Sequence, residues 1–211
     1  MSRRGLAKRE RLLDSTSSMP SQRVYLYLRQ ASPGCLAVRI GLELKDLQWR
    51  EAEVPASGPE HDAYLLMSPT GVLPCLEIEG IVVAGTVATL EYLDESHPGP
   101  PLMPRDPYLR AHVRQTMYAI AEVLAPLDAS GCDAGVEQIA DFEEALVSID
   151  RLIEREAGNY SAGRSMSLAD PMVHALAECA RVAGIDIAPF ASISTVVKHL
   201  SRLPGFGRAR I

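Results

Sequence analysis

Ser32 and Cys35 close the two ends of a four-residue corner, Ser32-Pro33-Gly34-Cys35, inside the stretch RQASPGCLAVRIGLELK from Arg29 to Lys45. Ser32 suits a helix N-cap, and Pro33 suits the first helical position, where a missing N–H costs nothing. The same geometry aims free backbone N–H groups and the positive end of the helix dipole at whatever lies beside Ser32. An anion such as a thiolate is stabilised there. Cys35 lies in the first turn and in the same field, which predicts a lowered thiol pKa. The corner therefore offers two ways to handle sulfur: a foreign thiolate beside Ser32, or the thiol of Cys35 itself.

Other residues carry less. His61, His97, His112, His174 and His199 share no spacing that builds a metal site or a nucleophile relay, so no metal is expected. Cys75, Cys132 and Cys179 sit among apolar or small residues and read as inert filling. Ser167 and Asp170, in SLAD, form a capping box that starts a helix, with Ser167 as N-cap and Asp170 reaching back to it.

The elements that position the corner follow from periodicity. RVYLYL (23–28) alternates and reads as a strand; Leu36, Ile40, Leu44 and Leu47 recur at helical spacing and predict a helix from Pro33 to near Leu47. QWREAEV (48–54) is a second strand, parallel to the first by the right-handed crossover rule. A polar loop and a short apolar turn lead to CLEI and IVVA, two strands joined at Glu79-Gly80 as an antiparallel hairpin. A helix over 86–97 with Thr86 as N-cap follows. Five prolines in the ten residues 98–107 exclude helix and mark a stiff linker. Beyond it the pattern is helical throughout, over about 107–128, 136–157, 167–183 and 189–201. The order is βαβ, then ββα with a mixed sheet, then an all-helical half.

Composition bounds the rest. Of 211 residues, 47% are apolar and 23% charged, and no apolar run is long enough to span a bilayer, so the chain is not an integral membrane protein. A net charge of −6 argues against nucleic acid as a partner. Widely spaced cysteines and the absence of an apolar leader point to a reduced, cytoplasmic compartment. The first residues hold five Arg or Lys against two acids and read, over 1–21, as a solvated basic tail.

Taken in order, the Ser32 corner with VRIGLELK, SPTGVLPCLEIEG (68–80), LEYLDESHPGPPLMPRDP (90–107) and SAGRSMSLADP (161–171) resemble the glutathione S-transferase superfamily. VRIGL and RAHVRQTMYAIAEVLAPL are most similar to its zeta class, which includes maleylacetoacetate and maleylpyruvate isomerases, and the PPLMP linker is similar to that of stringent starvation protein A. The resemblance implies a thioredoxin-like domain over 22–97, a linker over 98–107 and a helical domain over 108–211. It also implies glutathione as cosubstrate, a small electrophile as second substrate, and a homodimer. Ser32 would donate a hydrogen bond to the glutathione thiolate, with Gly34 in the same corner. Leu73, before a cis Pro74, would pair its backbone with the cysteinyl part, while Gly85 and Thr86 would lie at the γ-glutamyl group. Cys35 is the second catalytic candidate. Met103, Met117, Tyr118 and Glu122 fall where the family faces its cleft.

Three departures shape the expectation. The zeta pattern Ser-Ser-Cys is replaced by Ser-Pro-Gly-Cys, whose leading serine cannot form a mixed disulfide. The family's Gln or Glu before Ser is replaced by Gly85-Thr86, and losing a hydrogen bond to a charged group is worth roughly 1.5–3 kcal/mol. APLDA (125–129) stands where zeta isomerases carry His-Pro-Leu-Asn-Asn, so the isomerase reaction itself is not carried over. Three readings remain: a glutathione transferase or isomerase, a non-catalytic binding protein of the stringent starvation kind, and a redox enzyme built on Cys35.

Overall fold

The computed structural model describes residues 23–130 and 142–206. The basic tail, Cys132 and the first residues of the helix expected from 136 lie outside the described residues. Four strands form one mixed sheet: β1 (Val24–Leu28), β2 (Arg50–Glu53), β3 (Cys75–Ile78) and β4 (Ile81–Ala84), in the order β2-β1-β3-β4. β1 runs parallel to β2 and antiparallel to β3, with Leu26 opposite Glu51 on one side and Leu76 on the other. The hairpin between β3 and β4 closes with Ile78 opposite Ile81, and Glu79 and Gly80 take positive φ at the turn.

The alternation of β1 is explained by two different covers. Val24, Leu26 and Leu28 face α1 (Pro33–Leu44), where they pack with Val38 and Leu42; Tyr27 faces the other way, onto Ala52, Val54 and Tyr64. Tyr64 belongs to α2 (Pro59–Met67), a helix where the sequence suggested only a loop and an apolar turn. Gly58 at φ 98, Pro59 at the first position, and Glu60 and Asp62 in the first turn start it. Tyr64 is its only buried residue, so the segment carries no apolar stripe for a periodicity argument to find. α1 also ends earlier than expected, at Leu44, because Asp46 turns into the left-handed region at φ 52.

α3 (Thr86–Ser96) leads into the proline-rich segment, which is held rather than merely stiff. The Asp94 carboxylate accepts hydrogen bonds from the Leu102 and Met103 N–H groups, each at 2.9 Å, and from Lys45 Nζ at 2.8 Å. α4 (Pro107–Ser130), α5 (Phe142–Glu154), α6 (Ala169–Val182) and α7 (Ala191–Leu200) complete the described helices. α6 is buried on all sides from Ala169 to Ala180 and lies against α1, α4 and α7. Leu36 and Ile40 of α1 share one core with Met117 and Ile120 of α4 and with Met172 and Leu176 of α6. This shared core holds the start of α1 against the middle and end of α4.

At the start of α6 the Asp170 carboxylate accepts from Ser167 N–H at 2.6 Å, as the capping box predicts, and also from Ser161 N–H at 2.8 Å. The Ser167 hydroxyl accepts from Ala169 N–H, at 3.3 Å. Asp170 thus starts the helix and pins the preceding loop with one side chain.

Candidate functional site

Ser32, with φ −82 and ψ 123, caps α1, and its Oγ accepts the Cys35 N–H at 3.1 Å. Its own hydroxyl proton points outward, to Asp128 Oδ1 at 2.7 Å. The Gly34 N–H donates to the same oxygen, also at 2.7 Å. Two donors at a helix start, one hydroxyl and one backbone amide, therefore already converge on an anion. That anion is a carboxylate delivered by α4, 96 residues further along the chain. A methyl group on Gly34 would overlap Asp128 Oδ2 and Thr86 Oγ1, so the close approach of α4, α3 and the corner requires glycine there.

A cleft of about 540 Å³ opens beside this cluster, a volume within the roughly 300–1,000 Å³ common for small-ligand sites. Arg29, Leu73, Gly85 and Thr86 line its sheet side; Tyr118, Ala121, Leu124, Ala125 and Asp128 of α4 line the other, with Met172 of α6. The Leu73–Pro74 bond is cis, as the resemblance of its segment implied. The Pro74 carbonyl accepts the Gly85 N–H at 2.8 Å, which ties the proline loop to the start of α3.

Of the seven site residues singled out from sequence, five sit around the cleft mouth or the corner, Ser32, Gly34, Leu73, Gly85 and Thr86, with Pro74 buried directly behind Leu73. Thr86 is the first helical residue rather than the N-cap. Gly85 occupies the cap position at φ 91, a conformation that glycine adopts without strain. Of the four cleft candidates on the linker and α4, Tyr118 lines the cleft, Met117 is buried in the core, Met103 packs against that core and Glu122 is exposed.

Cys35 departs from expectation. Its side chain is fully buried between α1 and the sheet with Val24, Leu26 and Leu76. Burial pushes its thiol up to about 11, the Asp128 charge adds to the rise, and the Ser32 hydrogen bond only partly offsets it. The helix-start field that predicted a lowered pKa is outweighed because a thiolate there has no water. Cys35 in the native protein is expected to resist iodoacetamide at pH 8 and to alkylate readily in denaturant; mass mapping of the labelled peptide checks this, and rapid native labelling would contradict it. Cys75 and Cys179 are buried as well. Among the described residues no group of three or more His, Cys, Asp or Glu is placed to hold a metal.

Sequence reasoning missed the role of Asp128 and the place of Arg29 in the cleft wall. Asp128 was visible only as a departure from a family pattern, yet Tyr118, Ala121, Ala125 and Asp128 recur at helical spacing and define the face of α4 that meets the corner.

Comparison with known proteins bears on the family and the fold. Residues 14–101 match the family model for the glutathione S-transferase N-terminal domain. Maleylacetoacetate isomerase of Dictyostelium discoideum is 29% identical, the match covering 89% of this chain and 93% of that protein. The crystal structure of maleylacetoacetate isomerase from Anaeromyxobacter dehalogenans 2CP-1 superimposes with a TM-score of 0.71 at 26% identity, over 90% of this chain and 92% of that one. A second structure of that isomerase, with glutathione bound in its active site, superimposes with a TM-score of 0.70 at 24% identity, over 91% and 96% of the two chains. Residues 14–101 thus match the glutathione S-transferase N-terminal domain family, and the chain is similar over most of its length to maleylacetoacetate isomerases.

Proposed function

We propose that the protein is a glutathione-dependent transferase or isomerase acting on a small electrophile. The observation that carries this reading is the anion seat at the start of α1, where the Ser32 hydroxyl and the Gly34 N–H each lie 2.7 Å from one carboxylate oxygen. The cleft fits a tripeptide in size, and the Ser32 and Gly34 donors lie beside it, next to Asp128 of its lining. The chemistry that bound glutathione supplies is a soft sulfur nucleophile. Ser32 holds the thiolate by hydrogen bond, and the start of α1 adds the favourable end of its dipole. The Leu73 backbone, presented by the cis Pro74, pairs with the cysteinyl unit. The start of α3 at Gly85 and Thr86 receives the γ-glutamyl carboxylate. Gly85 brings no side chain to the neighbouring ammonium, so binding is weaker than a Gln or Glu there would give. Tyr118, Ala121 and Ala125 form the wall against which the electrophile lies.

The test is product analysis with glutathione and a panel of small electrophiles that includes a cis-enedione acid. A glutathione conjugate or a cis-to-trans product formed only with active-site Ser32 intact supports the reading. Absence of turnover together with stoichiometric capture of a protein partner would favour the non-catalytic alternative, which Gly85 and the PPLMP linker recommend.

The protein in this reading is a cytoplasmic homodimer; no described helix is long and apolar enough to cross a membrane. Edge strand β4 exposes Ile81 and Val82, and the loop and helix nearby expose Val72 and Leu66, the last 79% accessible. Such apolar surface suits a subunit contact. Sedimentation analysis at micromolar concentration tests it, a monomer being the contrary result.

A further inference from the structure

We infer that Asp128 is the catalytic base that takes the thiol proton of glutathione at the α1 corner, an assignment that rests on the glutathione reading above. Asp128 Oδ1 now accepts the two donors, Ser32 Oγ–H and Gly34 N–H, that a thiolate at this corner would use. Ser32 has one hydroxyl proton to give. A carboxylate and a thiolate placed side by side on the same donors would repel each other and compete for them. A thiolate forms here only if Asp128 loses its charge or leaves. The nearest proton that can remove the charge is the one the thiol must lose.

The transfer balances without any further reactant. Asp128 takes the proton, an O–H bond forms on its carboxyl as the S–H bond breaks, and the bonding pair stays on sulfur. The neutral carboxyl then releases the Ser32 hydroxyl and the Gly34 N–H to the new thiolate.

The surroundings make Asp128 a suitable acceptor. Burial pushes its carboxyl up to about 6, while its hydrogen bonds to Ser32 and Gly34 pull the other way, so it is mainly ionised at neutral pH and accepts a proton at little cost. The groups that face it are few. Ser32, Gly34 and the buried Cys35 thiol come from α1, Thr86 comes from α3, and Arg29 lines the same cleft from the loop after β1. Cys35, held neutral by burial, does not compete for the proton. The position is also fixed rather than incidental, because Gly34 leaves no room for any side chain between Asp128 and Thr86.

The experiment titrates glutathione into the wild-type protein, Asp128→Asn and Asp128→Ala at neutral pH, in two buffers of different ionisation enthalpy. The ultraviolet absorbance of the bound thiolate is recorded alongside. Asp128→Asn keeps an acceptor for Ser32 but takes no proton, and Asp128→Ala guards against a misfolded first variant. The wild type is expected to show bound thiolate with almost no proton passed to the buffer. Each variant is expected to pass about one proton to the buffer for every thiolate it forms.

Equal proton release per thiolate in all three proteins would overturn the assignment, as would glutathione bound without thiolate in the wild type. Binding seen only in the variants would also overturn it, making Asp128 a plug rather than a base. If none of the three binds glutathione, the glutathione reading itself falls and takes this role with it.

Discussion

Replacing Ser32 with alanine is expected to lower glutathione-dependent turnover by about ten- to a hundred-fold while the protein stays folded. The magnitude follows from the loss of one hydrogen bond to a charged group, worth roughly 1.5–3 kcal/mol, with each 1.4 kcal/mol a factor of ten. The hydroxyl also accepts the Cys35 N–H and caps α1, so stability should fall by about 1 kcal/mol, the usual cost of an N-cap lost to alanine. The two effects separate by measurement. Steady-state kinetics gives the first, and urea unfolding followed by far-ultraviolet dichroism gives the second. Unchanged turnover would remove Ser32 from the chemistry, because no other hydroxyl caps the start of α1.

The second large effect lies away from the site, where Asp94→Ala is expected to destabilise the protein by about 3–5 kcal/mol. The Lys45 and Asp94 side chains are 1% and 5% exposed, and their ion pair measures 2.8 Å. Removing the carboxylate would leave a buried ammonium with only the Pro100 carbonyl, at 3.1 Å, and would orphan the Leu102 and Met103 N–H groups. Leaving one partner of a buried pair uncompensated is what makes the loss large; surface pairs such as Arg39–Glu51 carry no comparable cost. Typical domains have only about 5–15 kcal/mol of stability in total, so the variant should unfold at a much lower urea concentration. A shift corresponding to less than about 1 kcal/mol would mean that water reaches Lys45. The pair joins the end of α1, α3 and the linker, and so supports the distance between the sheet and α4 on which the cleft depends.

How much of this was legible in the sequence depends on whether the cause is local. The strand–corner–helix order, the hairpin at Glu79-Gly80 and the Asp170 cap are set by residues within a few positions of one another, and each could be read directly, whereas the cis bond before Pro74 was expected from the resemblance of its segment to a family pattern. α2 could not, because a helix burying Tyr64 alone leaves no periodic stripe. Cys35 was read from its place in a helix start, a local electrostatic argument, whereas its protonation is governed by the apolar residues of β1 and β3 that bury it. Asp128 was the hardest to see. Nothing near it in sequence marks a carboxylate that will cap a helix 94 residues away through Gly34, and only the shared core of α1, α4 and α6 brings the two together.

The central claim is that the corner at Ser32 binds glutathione as its sulfur ligand. The most direct measurement is the dissociation constant of glutathione by titration calorimetry, on purified protein freed of any carried-over ligand. The account predicts binding with one site per chain in the micromolar to low-millimolar range, weakened but not abolished by the absent side chain at Gly85. No detectable heat or competition at millimolar glutathione, from protein shown to be folded, would contradict it.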